Sequence, residues 1–566
     1  MKISLTRTQW ALAILLALAT APYFVRLGAS SLWDANEAFY AETPREMIES
    51  GDYVNPAFNY HPRLNKPPLS YWVVIPFYKL LGVSEVAERL PIAMGAMIMI
   101  ATAFALGCLL FSVDAGLLAA LCLAIAPRFL MFSRRILIDV LVSMFMALAL
   151  LVFALAERQP HRRRLFLGLM YICLGLGVIT KGPVAALLPA IVLAIYLTVY
   201  RKLNALRDLM LPVGLIIVAV IVLPWYVASY LQHGWAHIES FLLKDNLSRY
   251  TEQVWGPRRG PFFYIPVLFG DLFPWSFFLL PLLWFGGRQL WQIARGHKDP
   301  ASGKRSSPEF RHAGLLVIWV VVIVAFFSFS RSKEDLYILP IYPAVAALVG
   351  GALASSLSRD RRILVRWTTF ALGVVIAAAG VLLLYLFGEG VEPYRLAGAG
   401  VVGWSCVVGG VASGGAAILN RVRPAILATA ITVTICNWAF ASLMLPDFER
   451  YKPVRSLCEV IASEASPGDL VGYYQTAYPS MVFYLRRPIF EYYSAGEIES
   501  AFSSGKEVFC VMTAVDFEAT RARLPAQTRV LASRPIFQVK LRGILDRAEP
   551  PQVVLISNKG GTGVKR

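Results

Sequence analysis

Four carboxylates, Asp34, Glu37, Glu42 and Glu46, fall within the stretch WDANEAFYAETPREM, which begins just after the first long apolar run of the chain. Asn36 stands beside Glu37 in the same stretch. Cations recur further along, each at the edge of an apolar run. Arg63 and Lys66 lie in RLNKPPLSYW, Arg134 and Arg135 with Asp139 in SRRILIDV, and Lys181 in ITKGP. Arg258 and Arg259 follow in WGPRRGPFFYIP, then Arg331, Lys333 and Tyr337 in SRSKEDLYILP. Cations converging at a membrane surface fit a bound phosphate or other anion. Carboxylates facing them fit acid–base work or the orientation of polar substrate groups. Plainer readings compete for several of these residues. Arg45, Glu46 and Glu49 fit a solvated helix face with i,i+4 pairing. Asp139 fits a helix-start carboxylate favoured by the dipole, and Lys181 an interfacial lysine reaching for water.

These residues must be held by membrane helices. The chain of 566 residues is 57% hydrophobic with a mean hydropathy of +0.59, too apolar for a soluble globule. Runs of roughly 20 apolar residues can each cross a hydrocarbon layer of about 30 Å. Thirteen are expected, at about 8–27, 89–111, 115–132, 137–156, 165–179, 183–200, 209–231, 262–287, 313–330, 336–355, 367–387, 396–418 and 424–444. Residues 69–82 are too short to span and are expected along the surface. With the N-terminus inside, the inner segments hold 21 Lys/Arg against 6 Asp/Glu, a net +15 of the chain's +18. That bias sets orientation and leaves the outer cations as the informative ones.

The expected domains are a membrane body over 1–444 and an outer α/β domain over 445–566. The body carries a first outer loop at 28–88 and a second at 232–261. In the outer domain, short apolar runs (DLVGYY, EVFCVMT, PQVVLIS) alternate with amphipathic ones, as strands alternate with helices. Cys458 and Cys510, the outer-domain cysteines, leave a disulfide open as a possibility. No metal-ligand spacing occurs among the six histidines, and His61 and His233 read as loop residues, so neither metal nor cofactor is expected. No glycine-rich nucleotide cradle is present, nothing points to nucleic acid, and a monomer among membrane lipids is expected.

NEAFYAETPREMIESGDYVNP followed by NKPPLSYW resembles the first periplasmic loop of GT-C type glycosyltransferases that use polyprenyl-phosphate sugars. The likeness is to the lipid A aminoarabinose transferases and their relatives, in the superfamily of the protein O-mannosyltransferases. It continues through LIDV, TKGPVAALLP, RRGPFFYIPVLFGDLFPW and SKEDLYILPIYPAVA, over roughly residues 30–350. The resemblance implies a polytopic helical protein with a periplasmic α/β domain, in the bacterial inner membrane. It implies transfer of a sugar from a polyprenyl (undecaprenyl) phosphate carrier to lipid A or another envelope glycolipid. It places Lys66, Lys181, Arg259 and Tyr337 around the carrier phosphate and Asn36, Glu37 and Asp139 on the catalytic wall; Arg258 and Lys333 join the first set, and Asp34 the second, by their position at the outer helix ends. The family's Asp-Glu pair reads Asn36-Glu37 here, so Glu37 is the expected working acid. A protein O-glycosyltransferase would need a competent base for its hydroxyl acceptor. A transporter or flippase would carry its charges at mid-helix in matching halves, rather than at outer helix ends.

Overall fold

The computed structural model describes residues 6–201, 207–239, 241, 248–252, 257–280, 308–356, 362–537 and 541–559. The most basic inner segment, 288–312, falls largely outside these residues. Among the described residues, eight helices are long and apolar enough to cross a membrane, or nine if one bent pair forms a single span. The expected count of thirteen includes shorter and interrupted runs that this criterion leaves out.

The interruptions have local causes. The 115–132 run is two helices, Val113–Ala124 and Pro127–Ser133, bent by 66°. Pro127 cannot continue the ladder of the first helix but suits the first turn of the second. Lys181 ends the helix Arg163–Lys181 because Gly182 follows at φ 117°, which a residue with a Cβ rarely adopts, and Pro183 then opens Val184–Val199. Ser84 and Ser112 cap Glu85–Leu110 and Val113–Ala124 by accepting from Ala87 N and Ala115 N. Those two helices pack backbone to backbone: a Cβ on Gly107 would stand 2.6 Å from the Gly116 Cα.

The first loop holds the helix Asn36–Ser50 and a short hairpin of β1 (Ala57–Phe58) and β2 (His61–Pro62). Short helices Leu69–Trp72 and Ile75–Leu81 follow, as the sequence required of a non-spanning stretch. Pro44 interrupts hydrogen bonding within Asn36–Ser50, and the Tyr78 hydroxyl donates to the Ala41 carbonyl there (2.9 Å).

After the membrane helices, Pro453–Glu464 leads into a five-stranded sheet. The strands are β3 (Leu470–Tyr474), β4 (Phe490–Tyr492), β5 (Val508–Thr513), β6 (Arg529–Pro535) and β7 (Gln552–Ser557). Their order is β4-β3-β5-β7-β6, parallel from β4 to β5 and antiparallel at β7. Both faces are covered. Phe509 and Val511 pack with Cys458 and Ile461 on one side, while Val508, Cys510 and Met512 pack with Ile498 and Phe502 on the other. Alternation along β5 therefore sends Cys510 away from Cys458, and both are free thiols. The possible disulfide does not form.

Candidate active site

A cavity of about 400 Å3 lies where several helix ends meet. Lys66 enters from the first loop and Asp139 from the first turn of Ile138–Arg158. Lys181 comes from the last turn of Arg163–Lys181, and Tyr337 from the 3-10 turn Asp335–Ile341. Four of the ten sequence-selected residues thus meet at one place. Val184, Leu187, Phe326 and Phe327 form an apolar side. Lys181 and Asp139 form an ion pair, and the Lys181 ammonium stands 5.1 Å from the Tyr337 ring centre. Lys66 is 8% exposed, with its ammonium 6.0 Å from the ring centre of Phe241. The lining holds two ammonium groups and one carboxylate, a net single positive charge.

Beside the cavity, the Arg259 guanidinium donates to the Lys333 carbonyl at 2.5 Å and lies 3.7 Å from Glu334. Lys333 turns back to donate to the Ser330 carbonyl. Tyr264 donates to the Glu334 carbonyl (3.0 Å), so the 258–264 segment and the 330–337 segment are knitted together. Arg258 is exposed. Arg128, which the sequence reading passed over, pairs with both Asp271 and Asp335 and fixes the base of the Tyr337 turn. Its signal in the sequence is a cation directly after a helix-opening proline.

The four first-loop acids do not share a wall with these cations; the structure divides them. Glu37 is fully buried and accepts from Arg89 Nε (2.9 Å) and Nη2 (3.0 Å), Ile136 N (3.1 Å) and Trp33 N (2.7 Å). Burial opposes its charge, yet Arg89 and Arg135 hold the carboxyl below its ordinary value. Arg89 went unnoticed because it reads as the outer end of an apolar run. Asp34 accepts from Ser480 N and Oγ, both at 2.8 Å, and so ties the first loop to the sheet domain. Asn36 is exposed at the start of its helix. None of these three lines the large cavity.

The solvated-face reading of Arg45 and Glu46 is corrected. Arg45 is 7% and Glu46 3% exposed, and the Arg45 guanidinium is shared between Glu42, Glu49 and Tyr60. The i,i+4 pair exists, but Tyr60 of the hairpin covers it, with its N–H donating to Glu46 and its hydroxyl meeting Arg45. His233 bonds Asn55 (2.7 Å), and His61 lies in β2. Among the described residues no group of three or more His, Cys, Asp or Glu side chains gathers as a metal site.

Ion-paired helix ends around one cavity, with a sheet domain bound to the first loop, make this a GT-C type membrane fold like that of ArnT. Its match to the crystal structure of ArnT from Cupriavidus metallidurans bound to undecaprenyl phosphate has a TM-score of 0.78 at 21% identity. That match covers 99% of this chain and 100% of that one. The profile of the dolichyl-phosphate-mannose-protein mannosyltransferase family matches residues 8–242. The chain is 29% identical to a protein of Aquifex aeolicus over 62% of its own length and 66% of that protein's. It is also 29% identical to the undecaprenyl phosphate-alpha-4-amino-4-deoxy-L-arabinose arabinosyl transferase of Pectobacterium carotovorum, over 70% of each chain. About a third of each of these two relatives thus lies outside the match. The resemblance drawn from the motifs is borne out.

Proposed function

We propose that the protein is an integral membrane glycosyltransferase that moves a sugar from an undecaprenyl-type polyprenyl phosphate to lipid A or another envelope glycolipid. The observation that carries the reading is the cavity holding Lys66, Asp139, Lys181 and Tyr337 beside an apolar wall. An amphiphile with a phosphate head and a prenyl tail fits that division of polar and apolar surface. The relatives' names and the carrier bound in the similar crystal structure support the same donor.

In the transfer, an acceptor oxygen bonds to the anomeric carbon, and the anomeric C–O bond to the carrier phosphate breaks. The bonding pair stays on the phosphate, whose negative charge grows. Lys66 and Lys181 supply fixed positive charge where that happens, and a preorganised donor of this kind contributes roughly 3–4 kcal/mol. Asp139 holds Lys181 in position between turnovers, and Tyr337 flanks it. Arg259, Arg258 and Lys333 flank the phosphate from the adjoining loop. Glu37 is saturated by Arg89 and two backbone N–H groups, so it orients the loop, with Asn36 and Asp34 at the outer lip. This supports a phosphate acceptor, which needs no proton removed. The enzyme acts as a monomer in the bacterial inner membrane, with its N-terminus cytoplasmic and its site and sheet domain periplasmic.

The test is incubation of purified protein in detergent with a labelled undecaprenyl-phosphate aminopentose and lipid A. Labelled lipid A and free carrier phosphate are expected. An intact donor after prolonged incubation, with carrier binding retained, would sink the enzyme reading and favour a flippase.

A further inference from the structure

A second cavity, of about 160 Å3, shares no lining residue with the first. Arg89, Arg134 and Arg135 line it, and no carboxylate does. The rest of the lining is largely apolar, from Phe440, Met444 and Phe448 toward the end of the last membrane span. A π-turn at Phe440–Met444 shapes that side, and such turns favour functional sites.

Arg89 is ion-paired with Glu37, while Arg134 and Arg135 form no ion pair among the described residues. Arg134 is 3% exposed and donates through Nη1 and Nη2 to the carbonyls of Pro22, Val25 and Arg26. Its Nε is buried with no hydrogen-bond partner among the described residues. Arg135 lies 4.9 Å from the Trp33 ring centre, and its Nε is also buried and unbonded among them. The carboxylate nearest in the sequence logic, Glu37, is already claimed by Arg89 and two N–H groups. Burial, and then the neighbouring Arg89, push the Arg134 guanidinium down to about 10, and burial also lowers Arg135. Glu37 offsets part of this for Arg135, whereas no carboxylate acts on Arg134. The volume equals that of about five water molecules, room for a phosphodiester group.

We propose that this cavity binds the phosphate headgroup of an anionic membrane phospholipid. Arg135 and the Arg134 Nε take the phosphate, and Phe440 and Met444 take the start of the acyl chains. A soluble phosphate would use only the cationic side. The lipid is the occupant because the apolar side lies beside Leu443, which is 41% exposed at the end of a membrane helix. The inference is independent of the sugar-transfer reading.

Native mass spectrometry of the full chain in neutral detergent, titrated with phosphatidylglycerol, tests it. One retained phosphatidylglycerol is expected, weakened about tenfold by Arg135→Gln through loss of a charge-assisted contact. Met444→Trp, which fills the apolar side and leaves the arginines untouched, should weaken it as well. Inorganic phosphate at equal concentration should not displace the lipid. Lys66→Ala, which acts in the other cavity, should leave lipid binding unchanged. Equal retention in wild type, Arg135→Gln and Met444→Trp overturns the site. Displacement by inorganic phosphate overturns the lipid as occupant. Loss of the lipid in Lys66→Ala would transfer it to the main cavity and overturn the assignment.

Discussion

Lys66 and Glu37 were selected from the same loop, yet their surroundings give them opposite expectations. Lys66 faces the large cavity, so Lys66→Ala should lower turnover at least roughly tenfold while the melting temperature stays close to wild type. Full activity in that variant would remove the lysine from the phosphate site. Glu37→Gln strands the buried Arg89, and breaking a buried pair typically costs about 3–5 kcal/mol. Thermal melting should therefore register Glu37→Gln before kinetics do, and a wild-type melt with turnover reduced more than about a hundredfold would restore Glu37 as a base. Glu46 carries a pH signature. Burial, and then the neighbouring Glu42, push its carboxyl from 4.5 up to about 8. The folded state thus holds a proton that the unfolded chain releases, so stability is full below the ordinary carboxylate value. It is lost as pH rises toward the folded value. Glu46→Gln should leave the melt nearly unchanged at about pH 5 and raise it at about pH 8.5. An equal offset at both would show that Glu46 does not titrate there.

Among the elements, the helix pair Glu85–Leu110 and Val113–Ala124 depends on space as well as hydropathy. A side chain on Gly116 would run into the Phe104 carbonyl and Cys108. Gly116→Val should cut folded yield and lower the melting temperature, with overpacking costing about 1–3 kcal/mol. An unchanged melt would mean that the pair can separate. The sheet divides along similar lines. The strands β3, β5 and β7 were legible as continuous apolar runs because they are central and covered on both faces. The strands β4 and β6 escaped notice because they are edges, where β4 is only three residues long and β6 exposes Val530, Ser533 and Arg534 with a register shift at Val530/Ala532.

At the scale of the whole molecule, the sheet domain and the site lie on one side. Asp34 is bound by Ser480, Asn59 exchanges two hydrogen bonds of 2.8 Å with the Ile489 backbone, and Lys452 reaches the Ser31 carbonyl. Asp139 opens its helix and Lys181 closes the next, so their ion pair fixes both helix ends at the same membrane face. Labelling with a membrane-impermeant thiol reagent in spheroplasts tests which face that is. A cysteine at Ser503, exposed on the sheet domain, should react. One at Ser302, in the basic segment outside the described residues, should be protected. The reverse pattern would turn the whole molecule over.

The sequence by itself determined that the chain crosses a membrane, that cations collect at one set of helix ends, and that a layered α/β domain follows. Hydropathy and charge bias are sums over many residues, so they survive without knowledge of contacts. Lys181 and Asp139 could be selected because a lysine before Gly-Pro and an acid opening an apolar run are local signals. Which carboxylate meets which cation was not local. Glu37 and Arg89 are 52 residues apart, and Asp34 and Ser480 are 446 apart. Only the tertiary structure decided that Glu37 would be consumed by Arg89, that Asp34 would serve the sheet domain, and that Asp139 would stand in the cavity beside Lys181. Buried charges choose partners by proximity in the folded chain, because an unpaired charge in low dielectric costs more than almost any local preference can offset.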